Sequence, residues 1–249
     1  MAGDHSYSDF TESNYRRLLQ AAKDRYAFAP FRDALSAPVG SALWRHDVDI
    51  SVHRALRIAE IEAEEGVCAT YFVLLHSAFY NALEAGVAER IRAILAAGHE
   101  VGLHFDPLFY ADRENGDLDE VLAKEGALLE ELFECEVRTV SVHNPMLVGL
   151  VDDRDEIAGM VNAYGATIRR DWTTASDSGG YWRFRPLLDV VESGEHERLH
   201  ALTHPEWWVP EPMSPRERIS RAIAGRAQYQ HERYDRVIAD MGRENIGER

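Results

Sequence analysis

The sequence predicts an α/β fold built on parallel strands, and three observations carry that reading. Short runs rich in branched and aromatic residues alternate with segments whose apolar residues recur at helical spacing. The strand-like runs fall at 41–49, 69–75, 100–105 and 137–143, with a helical segment between each and the next. Glycines close the first two of these helices, at Gly66 and Gly98. Such alternation marks βαβ units, and by itself it allows either a barrel or a doubly wound sheet.

Taken in order, 11–26 predicts a helix with Tyr15, Leu18, Leu19 and Ala22 on one face, ended ahead of Pro30. Residues 41–49 predict a strand with a polar tip, and 52–65 a helix. Ala69-Thr-Tyr-Phe-Val-Leu-Leu predicts a buried strand. Leu83, Val87, Ile91, Ile94 and Leu95 mark the next helix. Glu100-Val-Gly-Leu-His-Phe predicts a strand, Leu118, Val121, Leu122, Leu128 and Leu132 stripe a helix, and 137–143 is a further strand. Weaker strands are expected at 166–172, 180–184 and 199–204. Ser214-Pro-Arg-Glu217 is a capping box with proline at the first helical position, so 215–242 predicts a long terminal helix.

The 249 residues, 45% apolar and 28% charged, suit one globular domain spanning 1–249, with the helices at 11–26 and 215–242 packed on it. Acidic residues outnumber basic ones 43 to 27, a formal charge of −16 that repels phosphate backbones and argues against a nucleic-acid partner. Two cysteines, Cys68 and Cys135, exclude a disulfide framework or a four-thiolate zinc site. The start, Met1-Ala-Gly-Asp-His, has no basic patch followed by an apolar run, and no stretch approaches the ~18 apolar residues of a membrane span. The expectation is a soluble, cytoplasmic protein whose oligomeric state the sequence does not fix.

Active sites of parallel α/β folds collect at the C-terminal ends of strands. Here those ends are polar: Arg45-His-Asp47-Val-Asp49, His104-Phe-Asp106, His143-Asn-Pro145 and His204-Pro-Glu-Trp-Trp208. Asp47 and Asp49, two apart, leave one face of an extended strand, where a cation or a shared proton relieves their repulsion. His99 and His104 lack the spacing of the His-Glu-x-x-His zinc motif, and Gly102 interrupts them. On a strand their odd separation allows only one to reach the rim, and His104 is the better placed, with His99 a hydrogen-bonding histidine. His143 and His204 each end a strand. His5, His53, His196, His200 and His231 lie in polar surroundings and are expected to be solvated. Tyr181, Trp182, Trp207 and Trp208 suit either a sugar-stacking wall or the core.

These motifs resemble the polysaccharide deacetylases, the NodB-like carbohydrate esterases. Asp47-Val-Asp49 is similar to the family's first motif, Ala69-Thr-Tyr-Phe-Val to its second strand, Gly98-His-Glu-Val-Gly-Leu-His104 to its metal-binding stretch, and Leu202-Thr-His204 to its late Leu-x-His motif. The likeness spans roughly 41–208. It implies a distorted (β/α) barrel and a divalent ion, zinc above all. It implies Asp47 as base, His204 as acid, and Asp49 and His104 as metal ligands. The family's second metal histidine lies four residues after the first, where this chain has Leu108; His143 or Asp106 is then the replacement ligand. Arg45, Asp106, Asn144, Asp177, Trp182 and Trp207 are the expected substrate contacts, Asp177-Ser-Gly-Gly-Tyr-Trp182 standing where the fourth motif belongs. The implied activity is deacylation of an N-acyl or O-acyl sugar, carried on a nucleotide or lipid during surface-polysaccharide assembly. A hydrolase of cyclic amides on the same fold and a non-catalytic carbohydrate-binding protein are the alternatives.

Overall fold

The computed structural model describes residues 7–110, 117–145, 149, 152–182 and 184–247. Strand β2 (Ser41–Val48) is buried along its whole length, and the period of two divides its side chains between two environments. Trp44 and His46 turn toward helices α1 (Glu12–Lys23) and α2 (Val52–Glu64). There Trp44 Nε1 donates to Tyr15 OH at 2.7 Å, and His46 Nε2 lies 2.6 Å from Glu62 Oε1. Leu43, Arg45 and Asp47 turn the other way, toward the concave side of the sheet.

Strands β3 (Thr70–Leu74), β4 (Glu100–Phe105), β5 (Thr139–Val142) and β7 (Met160–Asn162) are added in turn on one side of β2, each parallel to its neighbour. Strand β9 (Arg198–Thr203), last in the chain, pairs in parallel with the other side of β2, and β8 (Thr173–Ser176) flanks it. Stepwise addition with the last strand returning to the first is the order of a barrel; a doubly wound sheet reverses at a switch point instead. Among the described residues no pairing joins β7 to β8, so the barrel is distorted and open there. Two short strands complete it. β1 (Ala27–Ala29) pairs with the first residues of β2, and β6 (Glu156–Ile157) forms the one antiparallel pairing described, with β7.

The helices cover the convex side. α1 buries Tyr15, Leu18, Leu19 and Ala22, the stripe its sequence predicts, and Thr11 caps it by accepting from the Asn14 N–H. α2, α3 (Ala85–Ala96) and α4 (Leu118–Phe133) follow β2, β3 and β4. On the concave side a smaller apolar cluster of Phe31, Leu43, Phe72, Val161 and Trp172 fills the barrel below the polar rim. The interior is thus apolar at one end and polar at the other, where Arg45, Asp47 and Asp49 succeed Leu43 along one strand.

Three expectations are corrected. Residues 166–172 form helix α5 (Ala166–Asp171) rather than a strand. Its β-branched Thr167 misleads, because the cap comes from afar: Asp155 accepts from both the N–H and the hydroxyl of Thr167, at 2.7 and 2.6 Å. Residues 180–184 form no strand where described, since Gly179 and Gly180 both turn at φ +82°. His200 is buried rather than solvated; it sits inside β9 with its ring against Phe31, and burial lowers its pKa to about 3. Helix α6 (Leu187–Ser193) precedes β9. The terminal helix α7 (Pro215–Asp240) starts with the capping box, but only Arg218 of it is buried. No helix among the described residues is long and apolar enough to cross a membrane.

Candidate active site

Every residue at the polar rim stands at or just beyond the C-terminal end of a parallel strand. Asp49 follows β2, His104 is the next-to-last residue of β4, His143 follows β5, Asp177 follows β8 and His204 follows β9. Parallel pairing aligns those ends, so residues far apart in sequence converge.

Asp49 is the centre. Its Oδ1 lies 3.1 Å from His104 Nε2, and its Oδ2 lies 3.8 Å from His143 Nε2 and 3.8 Å from His204 Nε2. Ligand atoms of Asp49, His104 and His143 all fall within 4.8 Å of one another. His104 is buried, and its Nδ1–H donates to the Ser141 carbonyl at 2.9 Å, which aims Nε2 at Asp49. Yet neither His104 Nε2 nor Asp49 Oδ1 makes a hydrogen bond. Burial works against charge on both groups, but attraction wins: Asp47 and Asp49 raise the His104 pKa, and His104 with His204 lowers that of Asp49. A buried imidazole nitrogen and a buried carboxylate oxygen facing each other without hydrogen-bond alignment, on buried His104 and half-buried Asp49 and beside a second imidazole, make a set that fits a divalent ion. Asn144, held at φ +47°, places its Nδ2 2.8 Å from His143 Nε2 and competes for that nitrogen. Asp106 Oδ1 is 4.0 Å from His143 Nδ1 and accepts from the Leu108 N–H. Leu108 itself is 63% exposed on the turn after β4.

Asp47 lies beside this centre in a different role. Arg45 Nε and Nη2 donate to its Oδ1 and Oδ2 at 2.8 and 2.7 Å, a bidentate pair sealed in the barrel. Arg45 Nη2 also donates to Ser141 Oγ at 2.5 Å and Tyr164 OH at 3.1 Å. Burial would raise the Asp47 pKa, but the guanidinium, helped by His104, holds it far below the usual carboxylate range. Arg45 was expected to touch substrate; it is fully buried, and its partner is Asp47.

His204 Nδ1–H donates to Asp177 Oδ1 at 2.6 Å. Asp177 Oδ2 accepts from the His204 N–H and from Trp208 Nε1, each at 3.1 Å. Burial opposes charge on His204, but Asp177, with Asp49 and Glu206 behind it, lifts its pKa to about 10. Asp177 is therefore an orienting group and not a substrate contact, for it is 0% exposed. Half-buried Trp182 stacks on Phe10 at 5.0 Å against the core, while Trp207 and Trp208 are buried in it, which corrects the expected sugar contact at Trp207.

Sequence reading missed Ser141 and Tyr164. Ser141 is two residues before His143 on β5, so strand alternation was a usable signal; Tyr164, in the turn after β7, gave none. Glu206 was missed too. Burial, then the nearby Asp49 charge, pushes its carboxyl well above the ordinary range. His99 is the hydrogen-bonding histidine expected, its Nε2 2.9 Å from the Ala59 carbonyl.

No family model matches the chain, and no curated protein matches it either. Among solved structures, the chain is similar to a family 4 carbohydrate esterase from Bacillus anthracis at 17% identity, covering 86% of each chain with a TM-score of 0.42. It is also similar to BA3943, a CE4 family pseudoenzyme from Bacillus anthracis, at 17% identity and a TM-score of 0.39. That match covers 76% of this chain and 60% of the pseudoenzyme, so the chain spans under two thirds of that protein's length. The Streptococcus pyogenes deacetylase PplD in complex with acetate is similar at 13% identity over 84% of this chain and 85% of that one, with a TM-score of 0.39.

Proposed function

We propose that the chain is a metal-dependent hydrolase that removes an N-acyl group from an amino sugar. The observation that carries this reading is the facing pair of His104 Nε2 and Asp49 Oδ1, both without hydrogen bonds, with His143 in reach. Asp49, His104 and His143 would hold the ion, and a mixed imidazole and carboxylate set favours zinc. A bound divalent ion supplies Lewis acidity and lowers the pKa of water.

The chain's own residues do the rest. Asp47 is ionised at every working pH and takes the proton of the attacking water. Its clamp by Arg45 weakens it as a base and fixes where it stands. His204, protonated at neutral pH and oriented by Asp177, donates its Nε2 proton to the departing amine. Base and acid are each held by their own buried partner, Asp47 by Arg45 and His204 by Asp177.

The test is metal content of protein purified without added metal or chelator, compared with Asp49→Ala and His143→Ala. The expected result is about one zinc per chain, lost in both variants, together with turnover of an N-acetylated sugar and none of a cyclic imide. Loss in Asp49→Ala alone points to Asp106 or water as the third ligand. Wild-type protein that neither retains zinc nor takes it up on titration removes the mechanism.

A further inference from the structure

A cavity of about 730 Å³ opens beside the catalytic rim, walled by the start of α2, the segment leading into α3 and one face of α7. Its wall begins one residue after Asp49, at Ile50, and includes Glu206, two residues after His204. That volume is in the range of sites for organic ligands. Its charge is opposite to that of the protein. In a chain of formal charge −16 the wall carries five arginines, Arg54, Arg90, Arg218, Arg221 and Arg226, against two acids. One of those acids, Glu84, is already bound by Arg226 at 3.0 Å.

The arginines are unevenly used. Arg218 is 2% exposed, yet its Nε and Nη1 have no hydrogen-bond partner; only Nη2 donates, to the Tyr7 carbonyl at 3.0 Å. Burying unpaired guanidinium N–H groups costs free energy unless something accepts from them. Arg54 donates to Glu12 at 2.7 Å but leaves its Nε unpartnered. Among the described residues no carboxylate pairs with Arg90, Arg218 or Arg221 within 4.0 Å. Between them starts α2, capped by Ser51, with no acid in its first turn to neutralise the positive end of the helix. Val52, Phe79, Val87, Val209 and Ile223 give the wall an apolar part beside the polar Ser51, His53, Tyr80 and Tyr229.

We propose that this cavity binds the phosphate or diphosphate of an amphiphilic phosphorylated ligand, held by Arg218, Arg221 and the start of α2. Guanidinium forks match phosphate oxygens, and the positive end of α2, from Ser51 to Arg54, lines the same cavity. An apolar wall next to that anion site suits a prenyl chain or a nucleobase. On the deacylase reading, the ligand is the carrier of the acyl sugar, whose sugar then reaches Asp49 across Ile50.

The experiment is calorimetric titration of inorganic pyrophosphate, uridine diphosphate and farnesyl phosphate into wild-type protein, Asp49→Ala, Arg221→Glu and Arg218→Gln. We expect one organic probe to bind below about 100 µM. Arg221→Glu, at an exposed position, should weaken it at least about tenfold through charge reversal, with Asp49→Ala unchanged. Preference for farnesyl phosphate marks a lipid carrier, and preference for uridine diphosphate a nucleotide carrier. Arg218→Gln should weaken the same probe if it folds; Arg221→Glu decides the matter if it does not. No binding of any probe at about 1 mM overturns the proposal, as does undiminished binding to Arg221→Glu. Binding lost in Asp49→Ala overturns it too, because the probe then sits on the metal centre. Bound probe without deacylation of any N-acetyl sugar sinks the deacylase reading alone, and deacylation without bound probe sinks this one alone.

Discussion

Replacing Asp177 by asparagine isolates the group that holds His204 in its protonated form. Asp177 accepts three hydrogen bonds with no exposure to water: from His204 Nδ1, the His204 N–H and Trp208 Nε1. Asparagine has one accepting oxygen, and its amide N–H₂ would face donors on the other side. The folded pKa of His204, about 10, lies above the ordinary 6.5, so its protonated form stabilises the fold fully below pH 6.5 and loses that contribution as pH rises toward 10. That separation corresponds to an order of 5 kcal/mol, close to the ~3–5 kcal/mol for breaking a buried pair. Urea unfolding at pH 6 and pH 9, with His204 followed by NMR in chelator-treated protein, checks both numbers. Asp177→Asn should lose ~3–5 kcal/mol at pH 6 and much less at pH 9, and the His204 pKa should fall below its wild-type value. A wild-type His204 that titrates near 6.5, or an Asp177→Asn protein as stable as wild type at pH 6, refutes the reasoning.

Two other perturbations probe the scaffold. In Gly102→Ala the new Cβ would stand 2.5 Å from Thr139 Oγ1 and 2.8 Å from the Phe72 ring, both buried; a loss of ~1–3 kcal/mol is expected in thermal unfolding, and an unchanged midpoint would show that β4 can move. Glu62 is buried between His46 and the hydroxyls of Tyr15 and Tyr71, the last at 2.5 Å. Burial opposes its charge, but His46 and the other partners hold its pKa below 4.5, so its contribution is present above pH 4.5 and fades as pH falls. Glu62→Gln should cost about 3 kcal/mol at pH 7 and flatten that acid limb; equal stability at both pH values would assign the network no energetic role.

Strands β2, β3, β4 and β5 were legible because each is a buried, largely apolar run bounded by glycine or a polar tip; β9 was legible only as a weaker strand, and the short β1, β6, β7 and β8 were not legible at all. The rim followed from one rule, that parallel strands deliver their C-terminal ends together, and so Asp49, His104, His143 and His204 are found facing one another. What stayed hidden depends on contacts that local sequence does not encode. Asp155 caps α5 from 12 residues away, which turned an apparent strand into a helix. Arg45 and Asp177 look like rim residues until their burial shows them holding Asp47 and His204. The arginine cavity is assembled from α2, α3 and α7, and no window of sequence contains it.

Asp47 and Asp49 differ in role because of what lies on either side of them, not because of what they are. Spaced two apart, both carboxylates head for the same rim, and left alone they would repel or share a cation. Arg45 breaks the symmetry. Its fork occupies both oxygens of Asp47, so that carboxylate stands beside the candidate ligand set as a charge already balanced, 3.7 Å from His104 Nε2. Asp49, beyond the strand end and 23% exposed at its side chain, has no arginine and meets imidazoles instead. The fork is fixed in turn by Ser141 from β5 and Tyr164 from beyond β7, so the curl of the sheet determines which aspartate is free to take an ion. On the proposed deacylase reading, Asp49 is the ligand and Asp47 the base because the barrel wraps far enough for Ser141 and Tyr164 to reach Arg45 and hold its fork on Asp47.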